Sequence, residues 1–407
     1  MSLKRRLDTL RRQGGARPAT PGGAGEGGTS LRERLERVGG AGRLGPGRNR
    51  QPVEVETLAR ALGGEAIDER VLCVETRVPR DGDVDGPSAD ASLLPGIGPL
   101  PGERAVFVDT ETSGLAGGTG TVAYLVGLAR FAAGSLHVRQ FLMTGFGGEP
   151  GLLAAVRTAL GDDAQLVTYN GKSFDAPLLK DRFRLARQDH PLEGAEHVDL
   201  LHPARRLFRH AWPDCRLATA EQHLLGLQRE DDLPGSQAPL VWFDLVQHGE
   251  TARLPAVLRH NLQDLTSLAA LWPALAAAHA EPQAWGACPL AAARAWYRAG
   301  REGDARRVLE AAPALTPAGR HELARLRRRS GDWEGALALW QTLAEAGDER
   351  AAEALAKYHE HVRRDWHTAL AWTDRLRPTL ETTRRRRLRL ERKSGKVKAG
   401  QGDLFSY

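Results

Sequence analysis

The chain is short of the residues that staple or anchor a protein. It has 3 cysteines in 407 residues. Cys73, Cys215 and Cys288 stand far apart and form no Cys-x-x-Cys pair, so neither a disulfide framework nor a zinc site is indicated, and a reducing cytosol is expected. No run of 18 apolar residues occurs, and Lys4, Arg5 and Arg6 are not followed by the apolar stretch of a signal peptide. These absences predict a soluble, cytoplasmic protein that has no membrane partner. Net positive charge is lacking from the middle of the chain. The net charge is +6, yet residues 1 to 50 carry +8 and residues 384 to 398 another +8, so the remainder carries −10. Basic ends on an acidic body suit a polyanion such as nucleic acid, and solvated tails are the plainer reading.

The length bounds the chain at two or three domains, and 41% hydrophobic residues make it globular in most of its extent. Residues 1 to 50 hold Gly-Gly pairs, Pro18, Pro21, Pro46 and little apolar content, which predicts disorder with one short helix near 31 to 38. Val53 to Leu62 has helical spacing and stops at Gly63-Gly64, and Arg70 to Val78 alternates like a strand. Residues 79 to 102, rich in Asp, Gly and Pro, read as a loop.

What the chain does have is the stretch Ala105 to Leu115. Four apolar residues run into two carboxylates and a Ser-Gly break, the pattern of a buried strand ending at a functional edge. Side chains alternate along a strand, so Asp109 and Glu111 share one face about 7 Å apart. Two such charges at the end of a buried strand resist ionisation unless a cation compensates them, and an exposed Asp-x-Glu is the alternative. Val122 to Phe131 and Ser135 to Met143 follow as two strands on a connection too short for anything but antiparallel neighbours. Helix and strand then alternate: Pro150 to Leu160, Gln165 to Tyr169, Ala176 to Ala186 and Glu196 to Leu200. Strands separated by helices add in parallel, so a mixed α/β sheet is expected.

Two more acidic positions follow. Asp175 stands just ahead of the helix containing Leu178, Leu179 and Phe183, where capping is the commoner role of an Asp. On the helix from about Pro255 to Leu275, His260 and Asp264 are four apart and fall among Val257, Leu268 and Leu271. A polar pair buried there needs a reason: a metal, catalysis or a satisfied His-Asp hydrogen bond.

Asp109-x-Glu111, Asn170 with Asp175, and His260-x-x-x-Asp264, in that order, resemble the DEDD exonucleases of the ribonuclease H-like superfamily. A finer resemblance, to the YprB-type ribonuclease H-like family, covers roughly residues 53 to 275. It rests on Asp109-Thr110-Glu111-Thr112-Ser113-Gly114-Leu115 with Gly117-Gly118-Thr119-Gly120-Thr121, on Tyr169-Asn170-Gly171-Lys172-Ser173-Phe174-Asp175, on Asp231-Asp232-Leu233-Pro234-Gly235 and on His260-Asn261-Leu262-Gln263-Asp264-Leu265. The resemblance implies an α/β fold with a mixed five-stranded sheet flanked by helices. It makes Asp109, Glu111, Asp175 and Asp264 the ligands of two Mg²⁺ or Mn²⁺ ions, about 4 Å apart, that serve in-line hydrolysis at DNA or RNA ends, free or single-stranded. Thr110, Asn170 and Lys172, within the matching motifs, are the substrate-binding candidates. Such enzymes carry a fifth residue, a Tyr four positions before the last Asp or a His five before it. Here His260 has the tyrosine's spacing and Arg259 fills the histidine's slot, so the subclass stays open, and a His titrating near neutrality suits a general base.

Elsewhere the residues say less. Asp199 reads as a cap for the helix near Pro203 and residues Arg229 to Gly235 as a polar loop, while Lys172 and Arg216 are candidates for a phosphate contact, although a lone basic residue is more often solvated. Tyr169, Phe174, Trp242 and Phe243 are available for stacking bases, with core packing the expected role of Phe174 and Phe243. From Pro282 on, only helices are expected. Gly331-Asp332-Trp333 and Arg364-Asp365-Trp366 repeat with tryptophans 33 residues apart, an earlier copy starts at Gly303-Asp304, and the period resembles tetratricopeptide hairpins, which suit a protein partner. Beyond Arg384 the charge density is expected to forbid a core. The expected organisation is a basic tail (1–50), a ribonuclease H-like exonuclease domain (51–281), an all-α helical-repeat module (282–380) and a second basic tail (381–407). A metal-dependent nuclease is the expected function. A catalytically silent nucleic-acid scaffold and an interaction protein working through its repeats are its rivals.

Overall fold

The computed structural model of the chain describes residues 53–79, 93–100, 102–114, 120–189, 191, 193–229, 232–377 and 379–402, with side chains as far as 395. The segment 1–50 with its expected helix, most of the 79–102 loop, Leu115, Gly117-Gly118-Thr119 and Asp231 lie outside the described residues. α1 (Val55–Ala61) gives way at Gly63, whose φ of +74° ends the helix, to strands β1 (Glu65–Asp68) and β2 (Val71–Pro79). β3 (Ala105–Thr112), β4 (Ala123–Ala132) and β5 (Ser135–Met143) are antiparallel neighbours. Between β4 and β5 the chain turns through Ala133 and Gly134, both at positive φ, as a two-residue hairpin with the right twist demands. α2 (Glu149–Leu160), β6 (Gln165–Thr168), α3 (Asp175–Leu185) and β7 (His197–Asp199) then alternate, and β6 and β7 join the sheet in parallel.

The strand order is β1-β2-β5-β4-β3-β6-β7. Among the described residues seven strands stand where the resemblance implied five, because β1 and β2 widen the sheet past β5. β2 pairs with β5 from Val71 opposite Met143 to Pro79 opposite Ser135.

Alternation in β3 assigns each face its layer. Val106 and Val108 enter the core beneath α1, α2, α3 and the later helix α6 (Ala238–His248). Ala105 and Phe107 enter the opposite core with α4 (Leu201–Phe208) and much of the long helix α7 (Leu254–Ala280). Between them α5 (Leu217–Ala220) runs on into a π-turn, Glu221–Leu225. α7 comes down on β4 at Gly127, where an added Cβ would lie 2.2 Å from Asn261 Oδ1 and 2.6 Å from Leu265 Cδ1.

Among the described residues seven α-helices follow: α8 (Pro289–Arg298), α9 (Glu302–Glu310), α10 (Pro317–Arg329), α11 (Trp333–Glu345), α12 (Glu349–Tyr358), α13 (Trp366–Thr373) and α14 (Glu381–Gly402). Each packs on the next. Trp333 and Trp366 open α11 and α13, each behind an aspartate cap: Asp332 accepts from the Gly335 amide at 2.8 Å and Asp365 from the Thr368 amide at 3.0 Å. The expectation that nothing beyond Arg384 could pack is overturned. α14 buries Leu390 completely. It reaches the wholly buried Glu360, whose carboxylate takes Arg389 at 2.6 and 2.8 Å, with Arg386 at 3.6 Å and Lys393 at 3.7 Å. A run of like charge docks because one buried counter-charge gathers it on one side of a helix. Among the described residues no helix is long and apolar enough to cross a membrane.

Gly127→Ala is expected to force α7 off the sheet and to cost about 1–3 kcal/mol, as overpacked cores do. Urea unfolding measures this, and an unchanged midpoint would refute the close-approach argument.

Candidate active site

β3 and β6 are parallel, so the chain leaves both strands at the same edge of the sheet. There Asp109 and Glu111 end β3. Beyond β6 the backbone turns at Asn170, with φ of +69°, and reaches Asp175, the first residue of α3. α3 begins without a side-chain cap; Asp175 Oδ1 accepts instead from the Thr110 hydroxyl at 2.5 Å. From the other layer α7 brings His260, Asn261 and Asp264. Asp109, Gly127 and Gln140 lie side by side across β3, β4 and β5, and Asn261 sits above the gap the glycine leaves. Its Nδ2 donates to Asp109 Oδ2 at 2.8 Å, and its Oδ1 accepts from Gln140 Nε2 at 2.9 Å.

His260 faces two ways. Its Nδ1 is 2.7 Å from Asp232 Oδ1, so that nitrogen donates, and its Nε2 lies 3.6 Å from Glu111 Oε1 and 3.8 Å from Asp264 Oδ2. Arg229 crosses beside it. The guanidinium grips Glu221 with two bonds, at 2.6 and 2.7 Å, and donates to Asp232 at 3.0 Å and to Asp264 Oδ1 at 2.5 Å. Glu221, on the π-turn, has no solvent exposure at all.

A model of the ribonuclease H superfamily matches residues 106–276, the span from β3 through most of α7. The chain is 35% identical over 279 residues to the uncharacterized protein YprB of Bacillus subtilis, covering 65% of this chain and 67% of that one. It belongs to the ribonuclease H superfamily, as a relative of YprB. The matched span contains every carboxylate of the ribonuclease H-like edge.

The electrostatics of that edge follow from crowding. Burial, then the charges of Asp264, Asp175 and Glu111, hold the Asp109 carboxyl well above the ordinary range against the Asn261 hydrogen bond. Burial pushes Glu111 up to about 7, with His260 opposing it and Asp264 and Asp175 adding to it. Burial takes Asp175 to about 6 despite the Thr110 hydrogen bond, and it raises Asp264 although His260 and Arg229 counter it. Burial alone would lower His260, but Asp264, the Asp232 hydrogen bond and Glu111 outweigh it, and the imidazole is raised. Asp232 moves the other way: His260 and Arg229 overcome burial and lower it.

Carboxylates in such a state suit a divalent ion, since hard oxygen donors with surplus negative charge are what Mg²⁺ and Mn²⁺ take. Asp109, Glu111, Asp175 and Asp264 could hold it. As the side chains stand, no three His, Cys, Asp or Glu groups among the described residues close on one point, and Arg229 occupies an oxygen of Asp264. The donors fit in kind and charge, with Arg229 as a resident cation among them.

The remaining candidates fall at different distances from this edge. Lys172 is exposed, and its amide, like that of Asn170, donates to Asp199, at 3.1 and 2.7 Å. Asp199 also accepts from the Leu201 amide at 3.1 Å, so it anchors the 170–172 turn as well as the start of α4. Trp242 is buried in a stack on Tyr124, and the Tyr169 hydroxyl donates to the Cys215 carbonyl at 2.8 Å. Phe174 corrects the sequence reading: it is 61% exposed, because it sits one residue before α3, off the stripe that carries Leu179 and Phe183 inward. Arg229, Glu221, Asp232, Asn261 and Gln140 escaped sequence reasoning as site residues. Gln140 and Asn261 signal only by polarity in an apolar context, Glu221 falls on a π-turn, and Arg229 and Asp232 are hidden in a loop that is polar throughout.

Raised carboxyls bind more protons folded than unfolded, so their contribution to stability falls as pH rises from the unfolded to the folded pKa. For Glu111 that window is 4.5 to about 7. In EDTA, wild type should lose up to about 3 kcal/mol relative to Glu111→Gln across it, and Mg²⁺ should flatten the difference. Parallel pH–stability curves for the two proteins would contradict the crowding described here.

Proposed function

We propose that this chain is a metal-dependent nuclease, an exonuclease of the DEDD kind acting in the cytoplasm on DNA or RNA ends that are free or single-stranded. The observation that supports it best is the meeting of β3, α3 and α7, which raises the carboxyls of Asp109, Glu111, Asp175 and Asp264 together. Two Mg²⁺ or Mn²⁺ ions held by these four would supply charge to the attacking and leaving oxygens of a phosphodiester. The chain's own groups do the rest. Asp232 holds the His260 ring by Nδ1 and leaves Nε2 free to take a proton from the attacking water. Asn261 orients Asp109, Thr110 orients Asp175, and Arg229 orients Asp264. Lys172 and Phe174 are exposed and close in sequence to Asp175, and would offer a cation to a phosphate and a ring to a base. The helices after Pro282 we read as tetratricopeptide-like, on the repeat shared by Trp333 and Trp366.

One contact favours a second reading. Arg229 satisfies Asp264 from within the protein, as a catalytically silent nucleic-acid scaffold would arrange. Cleavage decides between them. Purified wild type should degrade end-labelled oligonucleotides with Mg²⁺ or Mn²⁺ and not with EDTA. Asp109→Asn or Asp264→Asn should abolish hydrolysis and leave the far-ultraviolet circular dichroism unchanged. Binding without cleavage by wild type would establish the scaffold.

His260→Ala should lower turnover about 10²- to 10⁴-fold while the protein stays folded. The wild-type rate should rise with pH as the raised imidazole loses its proton. Turnover within a factor of two of wild type would remove His260 from the chemistry.

A further inference from the structure

An active edge built of carboxylates, in a body whose charge is negative between its basic ends, repels the polyanion it is proposed to cut. Positive surface has to be found elsewhere, and the helical array holds some. α8, α10, α11, α12 and the π-turn His359–Arg363 enclose a groove of about 470 Å³. Its two acids are already neutralised: Glu322 pairs with Arg325 at 2.5 Å and Glu353 with Lys357 at 2.9 Å. Arg294, Arg328 and Arg350 line the same groove, are exposed, and have no acidic partner among the described residues. Two half-buried rings, Trp333 and Tyr358, line it as well, with centroids 5.0 Å apart and planes inclined at 34°.

Unpaired guanidinium groups and aromatic rings lining one groove match the two repeating parts of a nucleic-acid strand, a phosphate for the cation and a base for the ring. The chain's own basic segment, residues 1 to 50, has the wrong charge to fill such a groove. We infer that the groove between α8, α10, α11 and α12 is a second binding site, which takes a single-stranded stretch of nucleic acid and holds the substrate while its end is processed. The inference rests on the nuclease reading for the identity of the occupant. Arg328 and Arg350 take phosphates, and Trp333 and Tyr358 take bases.

The test uses the full-length chain carrying Asp109→Asn, with fluorescein-labelled twenty-residue oligo-dT and oligo-rU as probes and anisotropy in 50 and 200 mM KCl as readout. Arg328→Glu combined with Arg350→Glu, both at exposed positions, should weaken binding at least tenfold at the lower salt. The log–log salt dependence should become shallower by about 0.7 for each lost phosphate contact. Photo-crosslinking of a 5-iodouracil oligonucleotide should label Trp333 or Tyr358. Unchanged affinity and salt slope, or crosslinks confined to residues before 282, would overturn the groove and leave the nuclease reading standing. A labelled poly-glutamate peptide that binds more tightly than either oligonucleotide, and is lost in the charge-reversed variant, would also overturn it in favour of an acidic polypeptide. If neither oligonucleotide binds the Asp109→Asn parent, the nuclease reading fails together with the groove.

Discussion

Asn261 sits where Gly127 leaves no side chain, and the distance between α7 and the sheet depends on it. Its amide spans from Asp109 on β3 to Gln140 on β5, so one side chain fixes α7 against three adjacent strands. The neighbouring positions on α7 inherit that placement: His260 and Asp264 are set near Glu111 because Asn261 is seated. A buried amide with both ends satisfied is well suited to this, since either end left unpaired would cost about 1–3 kcal/mol. The contact is a constraint on geometry as much as a source of stability.

Around that contact the problem is like charge. Four carboxyls meet at one edge, and every one of them is raised. The protein answers with His260 and with Arg229, whose own charge is secured by the fully buried Glu221 and shared with Asp232 and Asp264. Glu221–Arg229–Asp264 thus forms a chain of alternating charge reaching from a π-turn to the sheet edge. The helical array repeats the device with the same signs. There a second π-turn buries Glu360, and Arg386, Arg389 and Lys393 of α14 converge on it. In both places a glutamate removed from water holds arginine in a fixed position, and removing either partner would strand the other.

The sequence by itself determined the fold class and the identity of most candidate groups. Alternation and short connections fix three antiparallel strands. Helices between later strands force parallel addition, and period-2 geometry puts Asp109 and Glu111 on one face. These are local rules, which sequence carries in full. His260 and Asp264 were legible for the same reason, as two polar residues four apart among apolar ones. Which residues complete the edge was decided only by tertiary structure. Arg229 reaches Asp264 across 35 positions, Asn261 reaches Asp109 across 152, and Gln140 reaches Asn261 across 121. No periodicity links such pairs, because each depends on how closely a helix lies on a sheet, and that distance is set by the absence of a side chain at Gly127. The packing of α14 was hidden likewise. A run of arginines reads as solvated until a buried glutamate, distant in the chain, is brought against it by the fold.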